Sequence, residues 1–438
     1  MIWINKKWAI GLILGVSFGA IKAQDSLNLS SLVSRTLSSN YQIQVSQLQT
    51  EQTANLATRG QAGFFPQISA NGNGAFSQNN TKLEFAGGLP DVERNGAVNT
   101  SYGANIGLNY TVFNGFGRVY TYRGLSQQYQ LSQVQSKLVA ENLVFEAVSR
   151  YVNYQQARLN SNIAESNLKI SSERLRYTTE SVSTGAKTQL DLLSASLDFK
   201  NDSLLWLQSM VSAEKEAYAL NVLMGLSANA PLILSSEMPI PVLENESELV
   251  KKVSENSSSV LLAQISKELS QTQANLAQSR QLPTLNLNAN YGYVSSQNGA
   301  GIILAQSNLG FNSSASLTVP LFNGKQLSTA IKNADLDVKR RSLEYEQAKL
   351  QATQLIFEAL ADQRVLQEQI ITLTQSVEVA KRALSRSNEA YKLGQIKFND
   401  LRVAQVNLLQ AESSLVSAQM NLLRLRYSVK RLTGELLD

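Results

Sequence analysis

The chain has 438 residues, a formal net charge of +5, and neither cysteine nor histidine. These absences exclude a thiol nucleophile, a histidine general base and a Cys/His zinc site, so the composition points away from an enzyme and from a metal or cofactor site. Carboxylate-only or Ser/Lys chemistry stays open at this point.

The first 23 residues have the pattern of a secretory signal peptide. Lys6 and Lys7 precede thirteen uncharged residues, "WAIGLILGVSFGA", and "IKAQD" follows. We expect cleavage after Ala23. The loss of Lys6, Lys7 and Lys22 would lower the net charge from +5 to +2, which gives no reason to expect a nucleic-acid partner. An N-terminal membrane anchor is the alternative, but the apolar stretch is too short to span a bilayer.

The segment 24–225 reads as a first unit with a helix, two strands and two long helices. A strand pair is predicted at about 66–113, and long helices are predicted over 118–184 and 187–225. Glycine and proline are absent from 125–184 and from 186–224, and such uninterrupted stretches are typical of helices.

A proline-bearing linker is predicted over 226–245, and the order of elements then repeats over 246–438. The second unit again has a helix, followed by a strand pair at about 283–321 and long helices over 325–393 and 397–435. "FNG" occurs at 113–115 and again at 322–324, and "Gly-x5-Asp-Leu" begins at Gly185 and at Gly394. Both pairs are 209 residues apart, which indicates two internal repeats.

The predicted long helices exceed ordinary globular helices. At 1.5 Å per residue, the stretch 125–184 alone would be about 90 Å long. Apolar residues recur every seven positions, which is typical of helices that pack as coiled coils: Leu401, Leu408, Leu415, Leu422 and Val429. An amphipathic helix on a compact core is the alternative.

The four strand segments alternate apolar and polar residues. In "SYGANIGLNYTVF" (101–113) the polar positions are uncharged Asn, Thr and Gly, and tyrosines lie on the apolar face. This pattern fits a sheet packed on helices, but in an exported chain it favours a membrane barrel with a wet lumen and aromatic girdles. Because four strands cannot close a barrel, the membrane interpretation requires several chains. The segments 77–96 and 295–308 would connect the strands at the cell exterior.

The "FNG" junctions, the paired "Gly-x5-Asp-Leu" turns and the duplicated order together resemble the TolC-like outer-membrane efflux channels of Gram-negative bacteria. The resemblance covers nearly the whole mature chain. It implies a homotrimer whose chains each give four strands to one twelve-strand transmembrane barrel, continuous with a periplasmic tunnel of long coiled-coil helices. It also implies docking to a periplasmic adaptor and an inner-membrane pump, and passive export of cargo in efflux or type I secretion.

The resemblance also implies site residues at a periplasmic gate formed by the two tip turns, 183–193 and 392–402. Asp400 and Asp191 correspond to the family's tip aspartates, and Tyr391 corresponds to a tyrosine that bonds the aspartate of the first repeat, here Asp191. The family's basic residue would fall at Ile396, with Lys397 beside it, and its second acid at Val403. The turn and junction residues are the four glycines Gly185, Gly394, Gly115 and Gly324.

Structural roles remain open for these residues. Asp191 and Asp400 could simply cap helices, since an acid in a first turn is favoured there. Tyr391 could pack in a helix seam. For the whole chain, the alternative to an export channel is an exported coiled-coil adhesin or structural protein, which would explain the helices but not the four alternating strands.

Overall fold

The computed structural model describes residues 28–86, 90–233, 235, 241–300 and 302–437. The predicted signal peptide and part of the predicted linker lie outside these residues. The described chain is mixed α and β and mostly helical. In chain order its elements are α1 (Leu29–Ser39), α2 (Tyr41–Leu56), β1 (Gln67–Leu83), β2 (Val92–Asn114), α3 (Gly117–Ser183), α4 (Gln189–Leu223), α5 (Glu246–Asn256), α6 (Ser258–Ser279), β3 (Thr284–Asn298), β4 (Ala305–Thr318), α7 (Gln326–Lys392) and α8 (Phe398–Leu432).

Four long helices form two hairpins of equal size. α3 and α7 have 67 residues each, and α4 and α8 have 35 each. A helix of 67 residues, such as α3 or α7, is about 100 Å long. Among the described residues, no helix has a stretch that is both long enough and apolar enough to cross a membrane.

Each half begins with two short helices where the sequence predicts one. Asn40 ends α1 and caps α2, because its side-chain oxygen accepts a hydrogen bond from the Gln42 N–H at 2.9 Å. Its side-chain nitrogen donates to the Leu223 carbonyl at 3.0 Å and so ties the bend to the end of α4. The second half bends at Ser257. The prediction of a single helix is corrected because an internal cap interrupts the helical pattern.

The strands form one antiparallel sheet in the order β1–β2–β3–β4. The ladder between β1 and β2 continues through polar residues as far as the pair Leu83–Val92, and β3 runs to Asn298. The loops between strands are therefore only 84–91 and 299–304, shorter than the segments 77–96 and 295–308. Backbone pairing does not depend on side-chain polarity, so the polarity of these segments was a poor guide to where the strands end.

The two strand hairpins have the same register. Gln67 pairs with Asn109, and Thr284 pairs with Thr318. Asn109 and Thr318 are 209 residues apart, while Gln67 and Thr284 are 217 apart, and both spacings match equivalent positions of the two halves. The halves are joined by the pairing of β2 with β3, for example Gly107 with Asn290.

The two faces of the sheet differ in chemistry. On one face, amide side chains bond across strands: Asn71 Nδ2 donates to Asn105 Oδ1 at 3.1 Å, and Thr111 Oγ1 donates to Asn286 Oδ1 at 2.8 Å. On the other, the Tyr102 and Tyr293 rings lie 6.3 Å apart. Apart from Lys82, Glu93 and Arg94 at the loop end of β1 and β2, the sheet thus carries an uncharged polar face and an aromatic apolar face.

The hydrophobic core lies where the short helices pack against the long ones. One cluster joins α1 to α3 and to the ends of α4 and α8, with Leu32, Val148 and Tyr151 at its centre. A second joins α5 and α6 to α7 and α8 around Val253 and Ile356, and a smaller third joins α2 to α3 through Ile43, Ala140 and Leu143. The outer ends of the hairpins and the sheet lie away from these clusters.

The repeated "FNG" turn passes the chain from strand to long helix through two left-handed residues. Gly115 and Phe116 have φ of 61° and 65°, and Gly324 and Lys325 have φ of 65° and 67°. A Cβ on Gly115 would lie 2.5 Å from the Leu282 Cβ and closer still to the Ser279 carbonyl oxygen. A Cβ on Gly324 would have no atom within 4 Å. The two turns therefore share a conformation but differ in packing.

We expect Gly115→Ala to destabilise the chain more than Gly185→Ala. Both substitutions place a Cβ at positive φ, which costs about 1 kcal/mol, but only Gly115 also meets neighbouring atoms, which adds about 1–3 kcal/mol. Thermal unfolding followed by circular dichroism should show the larger loss for Gly115→Ala. Equal losses would contradict the packing explanation.

Candidate functional site at the hairpin tips

The two hairpin tips are built alike. At the first, the Gly185 N–H donates to the Val182 carbonyl at 3.1 Å and the Ala186 N–H donates to the Ser181 carbonyl at 2.8 Å. The second repeats this pattern, with Gly394 N–H donating to Tyr391 at 3.0 Å. Both glycines have positive φ, 78° and 71°, which is the usual requirement of this helix ending.

Asp191 belongs to a complete capping box at the start of α4. Its carboxylate accepts hydrogen bonds from the Thr188 N–H at 3.0 Å and the Thr188 hydroxyl at 2.7 Å, and the Asp191 N–H lies 3.2 Å from that hydroxyl oxygen. The hydrogen bonds from Thr188 hold the pKa of the Asp191 carboxyl below its ordinary value. Capping is therefore a role that Asp191 has within a single chain.

Asp400 has the equivalent place at the start of α8 with a weaker cap. Its carboxylate accepts from the Lys397 N–H at 3.1 Å, but the lysine side chain has no oxygen to accept a bond in return. The Asp400 and Lys397 side chains are exposed, and Asp400 borders the groove between α7 and α8. The second tip therefore presents a carboxylate whose oxygens are less occupied than those of Asp191.

Tyr391 joins the two tips through its ring. The Lys187 ammonium, from the first tip, lies 3.6 Å from the centre of the Tyr391 ring, which is close enough for a cation–π interaction. Tyr177 and Phe398 contact the same ring edge to face. The buried Tyr391 hydroxyl has no hydrogen-bond partner in the described part of the chain, so the expected bond to Asp191 is not formed within one copy.

The predicted site residues thus fall into two separate groups. The gate residues and the glycines Gly185 and Gly394 lie at the tips, whereas Gly115 and Gly324 lie at the opposite ends of α3 and α7, about 100 Å away. No three acidic side chains converge as a metal site in the described ranges of the chain.

A charged cluster above the tips, which the sequence did not predict, joins α4 to α8. Arg402 binds Asp202 through two parallel hydrogen bonds of 2.8 and 2.9 Å, and Asp202 is only 2% exposed. The Arg402 Nε also lies 3.6 Å from an Asp198 oxygen. Hydrogen bonding to Asp202 raises the pKa of Arg402 above its ordinary value, so the pair stays ionised.

Arg174 extends this cluster to α3. Its guanidinium donates to Asp198 at 2.9 Å and to the Gln405 side chain at 3.0 Å, and Gln405 in turn donates to Asn167 at 2.7 Å. Burial lowers the pKa of Arg174, and Asp198 opposes that effect. Two arginines and two aspartates therefore balance in a mostly buried place where three helices meet.

A heptad reading of α3 would have located this cluster. Buried polar residues follow one another at spacings of three and four along its lower half: Asn167, Ser171, Arg174, Thr178 and Ser181. The apolar seven-residue repeat described from the sequence lies on the shorter helix α8 and not on α3. A charged residue in such a seam indicates a buried ion pair, because an unpaired charge there would be too costly.

We expect Arg402→Ala to destabilise the chain by about 3 kcal/mol, because it leaves the Asp202 carboxylate buried without its partner. The control is Arg176→Ala, which removes an exposed arginine paired with Glu180 on the surface of α3 and should cost less than about 0.5 kcal/mol. Chemical unfolding of the purified protein measures both. Equal effects would show that the cluster contributes no more than a surface pair.

The first tip should loosen in acid. Because the pKa of Asp191 is lowered in the folded chain, its capping bonds stabilise the tip above the ordinary carboxyl pKa of about 4, and this stabilisation is lost as pH falls below it. Hydrogen exchange, corrected for the intrinsic rate at each pH, should show that the backbone amides of residues 188–192 are less protected in acid than at neutral pH. In Asp191→Asn this pH dependence should be absent.

A family model described as outer membrane efflux protein matches residues 32–225 and 249–435, which is most of the chain. A search of curated proteins finds no significant match.

Solved structures show the same fold. The Campylobacter jejuni outer membrane channel CmeC has a TM-score of 0.78 at 17% identity, covering 93% of this chain and 86% of its own. The Neisseria gonorrhoeae outer membrane channel MtrE has a TM-score of 0.74 at 20% identity, covering 93% and 89%. The Vibrio cholerae outer membrane protein VceC has a TM-score of 0.75 at 16% identity, covering 94% and 97%.

Proposed function

This chain belongs to the outer membrane efflux protein family, and we propose that it is the passive outer-membrane exit duct of a multicomponent efflux or type I secretion system. The observation that carries this proposal is the four-stranded sheet with an aromatic apolar face and a polar face rich in amide side chains, continuous with helices of 67 residues. A sheet of that kind suits lipid outside and water inside, and the helices are long enough to extend far into the periplasm.

The proposed assembly is a homotrimer with a twelve-strand barrel. β1 and β4 are the outer strands of the sheet, and lipid does not tolerate unpaired strand edges. β4 also ends at Thr318, whereas β2 ends at Asn114, whose equivalent in the second half is Asn323. A strand from another copy along β4 would pair its edge and allow the strand to extend.

The shared register supplies a template for that pairing. Because β2 pairs with β3 inside the chain, β4 would pair with β1 of the next copy in the equivalent register. The internal pair Gly107–Asn290 corresponds to Ser316 and Asn73, which are 209 and 217 residues away from its members. Three such joints would close the sheet.

The hairpin tips would form the periplasmic entrance. With three copies around one axis, Asp400 occurs three times at the constriction and attracts cations there. Tyr391 and Lys187 then hold the two tips of each copy together, Asp191 caps α4 beside them, and Lys397 contributes positive charge beside each Asp400. The exposed tips are also the end that would meet a periplasmic adaptor and, through it, an inner-membrane pump.

This proposal places the mature chain in the outer membrane with its helices in the periplasm, after removal of residues 1–23. The alternative of an adhesin or structural protein without channel activity is not favoured. It gives no role to the two-faced sheet, and the family match covers both halves of the chain.

We expect the double variant Ser316→Cys/Asn73→Cys to form covalent trimers on oxidation. The chain has no natural cysteine, so any cross-link arises from the introduced pair. In the control, Gly107→Cys/Asn290→Cys, the two positions pair within one chain and should give monomers only. Non-reducing gels of outer-membrane fractions measure the outcome, and monomers from both variants would contradict the closed barrel.

We expect Asp400→Ala to abolish block of the channel by multivalent cations added from the periplasmic side. With Val403 in place of a second acid, the block of the natural protein should already be weak. Glu93→Ala, in β2 near its exterior loop, is the control and should retain the block. Single-channel recording measures both variants, and full block in Asp400→Ala would leave Asp400 with its capping role alone.

A further inference from the structure

The equivalence of the two halves reaches beyond each element to the contacts between them. α1 and α5 both have 11 residues, and α2 and α6 begin at Tyr41 and Ser258, 217 residues apart. From the strand-to-helix turn onward the spacing is 209 residues. Each contact made by the first half on the second can therefore be translated into a contact of the second half on the first half of another copy.

The contact at the level of the short helices translates into a pair of exposed apolar residues. Inside the chain, Glu141 of α3 is 1% exposed and lies near Ser258, the buried first residue of α6, whose hydroxyl makes no hydrogen bond within the described residues. The equivalent positions are Leu350 of α7 and Tyr41, the first residue of α2. Each of these two side chains is 73% exposed. An internal polar contact thus corresponds to an unpartnered apolar pair.

The contact below the sheet follows the same rule. Gly115 packs against Ser279 and Leu282 just before β3. The equivalent of Gly115 is Gly324, which meets nothing. The equivalents of Ser279 and Leu282 are Ala62, which is buried within its own chain, and Phe65, whose side chain is 63% exposed.

The positions equivalent to the Arg402–Asp202 ion pair in the other half-repeats are uncharged. The Arg402–Asp202 pair of α8 and α4 corresponds to Leu193 of α4 and Ala411 of α8. Leu193 is exposed in the single chain. Two of the three internal contacts are polar or ionic, the third packs Gly115 on a carbonyl oxygen and on the Leu282 side chain, and all three equivalents consist of apolar side chains or open glycine. This systematic change is expected of a surface that only another copy covers.

We propose that Leu350 packs on Tyr41, Gly324 on Ala62 and Phe65, and Ala411 on Leu193 of the next copy, so that the two polar or ionic contacts of the internal seam are replaced by apolar contacts between copies. The partner is a second copy of this chain, and the inference rests on the proposed trimer. It adds residue pairs at three heights to the strand pairing that closes the barrel.

The test uses two single variants, Leu350→Cys and Tyr41→Cys, expressed together in one cell. Because each chain carries one cysteine, a disulfide between positions 350 and 41 can form only between copies. We expect mild oxidation to give dimers from the mixture, whereas either variant alone should give at least five-fold less. The double variant Glu141→Cys/Ser258→Cys is the matched control and should cross-link within single chains.

The outcomes separate this inference from the proposed assembly. If Ser316→Cys/Asn73→Cys gives trimers but the Leu350/Tyr41 mixture does not cross-link, the trimer stands and the inferred seam is wrong. If neither cross-links in protein recovered from the outer membrane, the assembly itself is wrong.

A second substitution tests the seam without cysteines. Gly324→Ala should leave a chain that folds, because a Cβ there meets nothing within one copy, but should reduce trimer yield at least five-fold through contact with Phe65 of the next copy. Gly394→Ala, also at positive φ in open space, controls for backbone strain. Equal trimer yields from the two variants would overturn the Gly324 contact.

Discussion

The structure depends on the unpaired backbone of two strands. β1 and β4 end a four-stranded sheet whose apolar face is suited to lipid, and in a bilayer their outward N–H and C=O groups would have no water to bond. A single chain cannot pair both edges. In the proposed assembly copies of the chain pair them, and the strand register, the left-handed turn that passes each second strand to a long helix, and the long helices themselves all fit a ring that continues below the membrane.

The sequence predicted the fold where one period held over many residues. The two-residue alternation located the four strands, and the long stretches without glycine or proline located α3, α4, α7 and α8. Local signals failed where a single side chain decided the outcome. Asn40 divides a helical stretch in two because its amide serves both as a cap and as a tie to α4, and polar residues after Phe76 stay in strand because their backbone still pairs.

The tips show a similar division. Spacing located Gly185, Gly394, Asp191 and Asp400, and the capping bonds of both acids were open alternatives that the structure contains. The partner of Tyr391 was not predictable, because a ring–ammonium contact with Lys187 has no fixed spacing in sequence. The Arg402 cluster was missed because it breaks the repeat: its equivalents are uncharged, so a search for matched positions passes over it.

That break in the repeat has a consequence for symmetry. Six similar half-chains around an axis could form a sixfold ring in which the contacts between neighbouring half-chains are all equally strong. In the proposed trimer an ionic joint inside each chain would alternate with an apolar joint between chains, so the ring would have two kinds of joint and only threefold symmetry. Widening of the lower tunnel would then concentrate at three joints, and its aperture would pass through a triangular outline instead of a uniformly growing circle.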